Sequence, residues 1–113
     1  YQAYHPAVLQ ALQKVVNDGH AEGRKVSICG ELAGDPAAAI LLTAMGYDVL
    51  SMNATNLPRV KLVLRSISSV RARELLRQVM TMESAHQIQT FMEQALIDTG
   101  VQQLVRPQVA EIT

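Results

Sequence analysis

Apolar and polar positions along this chain predict a helix, a strand, a second helix and a second strand, in that order. Over residues 5–23, apolar side chains recur at three- and four-residue spacing, which is typical of an amphipathic helix. Two short β-prone runs, residues 25–29 and 47–52, flank an apolar helix predicted over Pro36–Met45. A helix between two strands favours a parallel crossover.

The second half of the chain predicts three further helices. The first spans residues 57–66, and the second begins at Ser68 or Ser69. Ser84 followed three residues later by Gln87 is the pattern of a capping box, so the last helix begins there and stops at Gly100. The tail from Val101 has no clear period.

The turn between the first strand and the second helix carries the strongest chemical signal. The single cysteine, Cys29, ends the predicted strand, and the chain then passes two glycines before Asp35 and Pro36. Asp35 is expected to cap the helix, with Pro36 in its first position. The carboxyl end of a strand is where α/β barrels keep their reactive side chains. The alternative is a small buried residue that closes the strand, as free cysteines often do.

Composition limits the possible classes of protein. The chain has 113 residues, 49% of them hydrophobic, with a formal net charge of zero, which favours one globular domain over residues 1–113. The charge balance gives no argument for nucleic acid or a membrane as partner, and no apolar run is long enough to span a bilayer. A single cysteine excludes an intrachain disulfide and suits a reducing cytoplasm.

The number of strands argues against a self-sufficient sheet. Two strands with five helices would leave both sheet edges open, whereas two consecutive βα units followed by further helices suit the closing part of a barrel. The chain also opens at Tyr1 without a methionine, which suggests a piece of a larger protein or a processed product. The predicted fold class is therefore α/β, a C-terminal fragment of a (β/α)8 barrel.

The residues themselves resemble a known family. Residues 26–36, 45–48, 50–53 and 58–61 are similar to the C-terminal end of the phosphoenolpyruvate-utilising enzymes, above all to enzyme I of the bacterial phosphotransferase system. The stretch over residues 50–61 is most similar to the nitrogen-related branch. The resemblance implies a barrel that binds phosphoenolpyruvate and Mg²⁺, with the metal ligands and the substrate-clamping arginines upstream of Tyr1. Pyruvate phosphate dikinases and phosphoenolpyruvate synthases share the use of a cysteine at this position, so the resemblance defines the substrate more closely than the phosphoryl acceptor.

The resemblance also implies a role for Cys29. In the family the phosphoryl group passes to a histidine on a separate domain and then to a phosphocarrier protein, while the cysteine protonates enolpyruvate to pyruvate. Free thiols are largely protonated at neutral pH, as this role needs. Burial would favour the thiol and the neighbouring helix N-terminus the thiolate, and the sequence leaves that balance open. The chain alone is expected to be inactive, and a homodimer is expected because family members pair through this end of the barrel.

Other residues have a plainer interpretation beside the functional one. Glu31 and Asn53 are candidate substrate-binding residues, and Ser51 lies on the same predicted rim. The alternative for Glu31 is a turn carboxylate that faces solvent, and the alternative for Asn53 is a hydrogen bond within the turn itself. Neither the three histidines nor the acids show metal-ligand spacing. Six basic residues between positions 59 and 77 lack interleaved aromatics and suit an exposed surface. The rival classes are a dimerisation or interaction module and an independent thiol enzyme.

Overall fold

The computed structural model describes residues 4–100, in which helices alternate with two short strands and then continue without strands. The elements are α1 Pro6–Ala21, β1 Ser27–Cys29, α2 Pro36–Met45, β2 Val49–Ser51, α3 Leu57–Ser66, α4 Ser69–Val79 and α5 Ala85–Asp98. Each predicted helix and strand is confirmed, although both strands are shorter than predicted. The predicted tail from Val101 lies outside the described residues. Among the described helices, none combines the length and apolar character that crossing a membrane requires.

Strands β1 and β2 are parallel, which confirms the predicted βαβ unit. Their paired positions are Ser27 with Val49, Ile28 with Leu50, and Cys29 with Ser51. Backbone hydrogen bonds continue the pairing by one residue at each end: Asp48 N–H donates to the Val26 carbonyl at 2.8 Å, and Gly30 N–H donates to the Ser51 carbonyl at 3.2 Å. The described residues therefore form a two-stranded α/β unit, and the complete barrel stays a prediction.

The sheet has one face on the hydrophobic core and one face without a cover in the described structure. Ile28 and Leu50 pack against the core, whereas their neighbours on both strands are exposed. Helix α2 lies at the centre of the core and packs against α3, α4 and α5. Because α2 is apolar on nearly all sides, almost every one of its side chains is buried.

Helix ends follow the predicted signals, with one addition. Pro36 opens α2, and Gly46 ends it in the left-handed conformation at φ 111°. The Ser84 hydroxyl accepts from the Gln87 N–H at 3.1 Å while the Gln87 side chain reaches back, which confirms the capping box. At the start of α1, the sequence analysis missed His5, whose Nδ1 accepts from the Ala7 N–H at 3.0 Å.

The helical spacing of apolar residues predicts that Val15 and Val70 lie on the apolar faces of α1 and α4, and the structure shows both predictions to be wrong. Val15 is 55% exposed and Val70 is 68% exposed. In α4 the small residue Ala72 is buried with Leu75 and Val79, and Val70 lies on the opposite side of the helix because two residues correspond to about 200° of rotation. The six basic residues of the second half are exposed as predicted, and Met92 fills the core.

Candidate functional site

An open cleft of about 490 Å³ lies at the carboxyl ends of the two parallel strands. It receives side chains from the end of β1, the end of β2 and the loops that follow them. Its lining residues are Cys29, Gly30, Glu31, Ser51, Met52, Asn53 and Asn56. Both candidate substrate-binding residues and the candidate catalytic cysteine are thus brought together in one place.

Cys29 is the last residue of β1, and its side chain is exposed. Within the described residues, Cys29 therefore lies outside the hydrophobic core. The alternation of the strand explains the exposure, because the preceding residue, Ile28, is the one that faces the helices. The thiol is therefore accessible to a molecule in the cleft.

The β1–α2 loop turns tightly after the cysteine. Gly30 has φ 114°, a backbone conformation that favours glycine, and a hydrogen bond from the Gly34 N–H to the Glu31 carbonyl at 3.1 Å closes the turn. Glu31 is exposed and lines the cleft, so both interpretations of its carboxylate, a turn residue and a site residue, are compatible with its position.

Asp35 occupies the N-cap position of α2, as predicted, but it does so without a capping hydrogen bond from its side chain. Its carboxylate makes no hydrogen bond to the first turn of the helix and instead accepts the hydroxyl hydrogen of Tyr4. Burial chiefly raises the pKa of Tyr4, and the negative charge of Asp35 raises it further. Asp35 thus connects Tyr4, two residues before α1, to the start of α2.

The β2–α3 loop places Asn53 in the cleft and also uses it for the turn. Its side-chain oxygen accepts from the Thr55 N–H at 3.3 Å, which confirms the predicted turn chemistry, and its carbonyl accepts from the Asn56 N–H at 2.9 Å. Asn56 itself was missed by the sequence analysis. An asparagine directly before Leu57-Pro58 is a helix-start signal that could have drawn attention to it.

A clamp at the opposite end of the strands holds them in register. Asp48, just before β2, accepts from the Val26 N–H at 2.7 Å and contacts Nε2 of His20 at 2.8 Å. The hydrogen bond from Val26 lowers the pKa of the Asp48 carboxyl most, and His20 lowers it further. This clamp joins the end of α1 to both strands, so it contributes to the placement of the cleft at the other end.

The described residues do not by themselves fit a magnesium site. Between residues 4 and 100 there is no group of three or more histidine, cysteine, aspartate or glutamate side chains that could hold a metal ion. Glu31 is the one carboxylate among the lining residues of the cleft, and Mg²⁺ requires several oxygen ligands in near-octahedral geometry. No histidine is among those lining residues either.

Comparison with known proteins gives a consistent set of relatives. Residues 1–69 match the family model for the PEP-binding domain of PEP-utilising enzymes. The chain is 36% identical over 101 residues to a phosphoenolpyruvate-protein phosphotransferase of Haemophilus influenzae, covering 89% of this chain and 18% of that protein. It is 37% identical over 93 residues to the protein of the same name from Buchnera aphidicola, covering 82% of this chain and 16% of that protein.

A third relative carries a different name. It is described as a phosphoenolpyruvate-dependent phosphotransferase system protein of Salmonella typhimurium and is 39% identical over 97 residues, covering 82% of this chain and 13% of that protein. The chain therefore spans less than a fifth of the length of these three relatives.

Proposed function

This chain belongs to the PEP-utilising enzymes, whose PEP-binding domain it matches over residues 1–69, and we propose that it forms part of the active site of a phosphoenolpyruvate-protein phosphotransferase. The names of the relatives support this transferase activity, and the whole activity belongs to a protein longer than the matched segment. The observation that carries the proposal is the exposed Cys29 thiol at the end of a parallel strand, in a cleft shared with the end of the next strand.

The proposed surroundings are a (β/α)8 barrel. A parallel βαβ unit is its repeating element, and barrel chemistry lies at the carboxyl ends of the strands, where Cys29 lies. Within the described residues each strand pairs on one side only, so further strands can extend the sheet in both directions.

The proposed chemistry is a proton transfer to carbon. After phosphoenolpyruvate loses its phosphoryl group to a histidine outside the described residues, enolpyruvate remains in the cleft. The S–H bond of Cys29 breaks, its proton forms the third C–H bond at C3, and the enolate becomes the ketone of pyruvate. The thiolate then regains a proton from water. The phosphoryl group continues from the histidine to a phosphocarrier protein, and residues 1–113 alone lack this activity.

Magnesium would be bound chiefly by residues outside the described part of the chain. Glu31 can contribute at most one carboxylate, so no step of the proposal depends on a metal bound by these residues. Assignment to the nitrogen-related branch and a cytoplasmic location stay predictions of the sequence analysis.

The experiment that tests the proposal is the Cys29→Ser variant of the full-length protein. Phosphoenolpyruvate-dependent pyruvate release should fall by about 100-fold or more, because a serine hydroxyl is a much weaker proton donor and such donors contribute about 10²- to 10⁴-fold. Ser27→Ala, on the same strand but outside the cleft lining, is the matched control and should retain activity. Unchanged turnover by Cys29→Ser would remove the assigned role.

A second candidate function is a dimerisation or interaction module. Within the described residues each of the two strands has one unpaired edge, and an open strand edge favours pairing with another chain. Mixing this chain with the N-terminal part of the protein separates the two candidates. Pyruvate release that depends on Cys29 supports the enzyme, whereas self-association without such release supports the module.

A further inference from the structure

Two glycines in the β1–α2 loop are required for different physical reasons. Gly30 adopts φ 114°, and a Cβ added there would meet no atom within 4 Å, so its requirement is conformational. Gly34 does not have the positive φ of Gly30, but a Cβ added there would lie 2.7 Å from Nδ2 of Asn56. The requirement at Gly34 is therefore space, and the side chain that occupies this space comes from the other loop of the cleft.

The Asn56 side chain makes no hydrogen bond among the described residues. The residue precedes α3 in the N-cap position, yet its side chain makes no capping hydrogen bond. Its backbone already adopts φ −89° and ψ −16°, so the side chain is not needed to begin the helix. The half-buried carboxamide lies against the buried backbone of Gly34 and also lines the cleft.

We propose that Asn56 is a positioning residue for Cys29, and that its contact with Gly34 sets the distance between the two loops that bound the cleft. One loop continues from Cys29 and the other continues from Ser51, and the described cleft lies between them. Because the Asn56 side chain is in contact with the backbone of Gly34, the two loops cannot come closer together. The contact therefore sets the minimum distance between the loops. The catalytic part of this inference depends on the proposed function, whereas the geometric part does not.

The contact makes a specific rescue possible. Gly34→Ala introduces a methyl carbon 2.7 Å from Nδ2 and 3.3 Å from Cβ of Asn56. Nδ2 can rotate away, but Cβ is bonded to the backbone, so relieving that contact moves the two loops apart by a few tenths of an ångström. Asn56→Gly removes these nearest atoms. The Gly34→Ala/Asn56→Gly double variant should therefore recover the spacing, and glycine is tolerated in an N-cap position. Gly30→Ala is the matched control, because its strain comes from the backbone and Asn56→Gly cannot relieve it.

The first measurement is independent of phosphoenolpyruvate. Cys29 in the full-length protein is alkylated with iodoacetamide and with the bulkier N-ethylmaleimide, and the cysteine peptide is quantified by mass spectrometry. The ratio of the two rates reports access through the cleft and cancels differences in thiolate fraction. Gly34→Ala should shift this ratio, Asn56→Gln should shift it in the same direction, and the double variant should return it to the wild-type value.

The second measurement is steady-state turnover. Gly34→Ala should lower kcat by about twofold to tenfold with little change in KM, because a displacement of about 1 Å at a catalytic group can cost about 100-fold and the displacement here is a few tenths of that. The double variant should restore most of this loss. If the full-length protein releases no pyruvate, the proposed function fails, while the alkylation ratios still test the contact.

Two results would overturn the inference. One is an unchanged alkylation ratio in both Gly34→Ala and Asn56→Gln. The other is a double variant that stays as impaired as Gly34→Ala, or an Asn56→Gly change that rescues Gly30→Ala equally well. If Gly34→Ala fails to fold, Asn56→Gln supplies the same test from the other loop, without a new group at Gly34.

Discussion

Cys29 and Ser51 are paired residues at the last positions of two parallel strands, and both side chains are exposed in the same cleft. Adjacent strands lie about 4.8 Å apart, so a group that reaches the thiol also comes close to Ser51. The loops that follow these two residues then supply Glu31 and Asn53. The arrangement provides one thiol, one carboxylate and several neutral polar groups around a small open space.

The role of Asn53 can be tested by changing its charge without removing its turn acceptor. Asn53→Asp keeps an oxygen that can accept from the Thr55 N–H and adds a negative charge to the cleft. Because phosphoenolpyruvate is an anion, we expect its KM in the full-length protein to rise about fivefold or more, from about 1 kcal/mol of repulsion at contact distance in water. Steady-state kinetics measure this change.

Asn53→Ser is the control for the preceding substitution. Its hydroxyl can accept the same turn hydrogen bond, more weakly, and it adds no charge. We expect KM to stay within about twofold of the wild-type value, a difference of about 0.4 kcal/mol. Equal KM values for Asn53→Asp and wild type would show that Asn53 serves the turn alone.

The Asp48 clamp predicts sensitivity to acid. Since the carboxyl has a lowered pKa in the folded chain, its contribution to stability is present above the unfolded pKa of about 3.9 and is lost as the pH falls through the folded value. Asp48→Asn keeps the size of the side chain but does not titrate. We therefore expect lower stability than wild type at pH 7 and a weaker loss below about pH 4.

Chemical denaturation between pH 2.5 and pH 7 measures this effect. Asp18→Asn is the control, because it removes an exposed carboxylate that pairs with Lys14 on the surface of α1 and touches neither strand. If Asp48→Asn lost stability below pH 4 as steeply as wild type, the clamp would not be the source of acid sensitivity.

Two apolar residues of α4 should respond very differently to truncation. Leu75 is fully buried and helix α4 packs against α2, so Leu75→Ala should lower the free energy of unfolding by about 2–5 kcal/mol. Val70 is 68% exposed, so Val70→Ala should change it by no more than about 0.5 kcal/mol. Urea denaturation measures both; similar losses would mean that Val70 is covered by a protein contact.

Local signals in the sequence were sufficient for the helices and for the location of the cysteine. Pro36, Gly46 and the Ser84–Gln87 box act within a few residues of their own positions, so their effects can be inferred without the fold. The strands were predicted too long because β-prone residues extend beyond the three paired positions. Tyr47, for example, is buried and donates its hydroxyl hydrogen to the Leu12 carbonyl at 2.8 Å.

Contacts between distant parts of the chain could not be predicted from one sequence. Asp35 has the local pattern of a helix cap, but its carboxylate accepts a hydrogen bond from the hydroxyl of Tyr4, 31 residues away. His20 and Asp48, 28 residues apart, have no shared motif. The spacing of Gly34 and Asn56 follows no period either, and their contact exists because the strands bring two loops together.

Successive side chains of β1 and β2 point to opposite faces of the sheet, and this has an evolutionary consequence. Ile28 and Leu50 join the sheet to the helices, whereas Cys29 and Ser51 point the other way. Mutations that retune reactivity at the exposed positions therefore need no compensating changes among the side chains beneath the sheet. Selection can vary the chemistry at this rim while the hydrophobic interior stays the same.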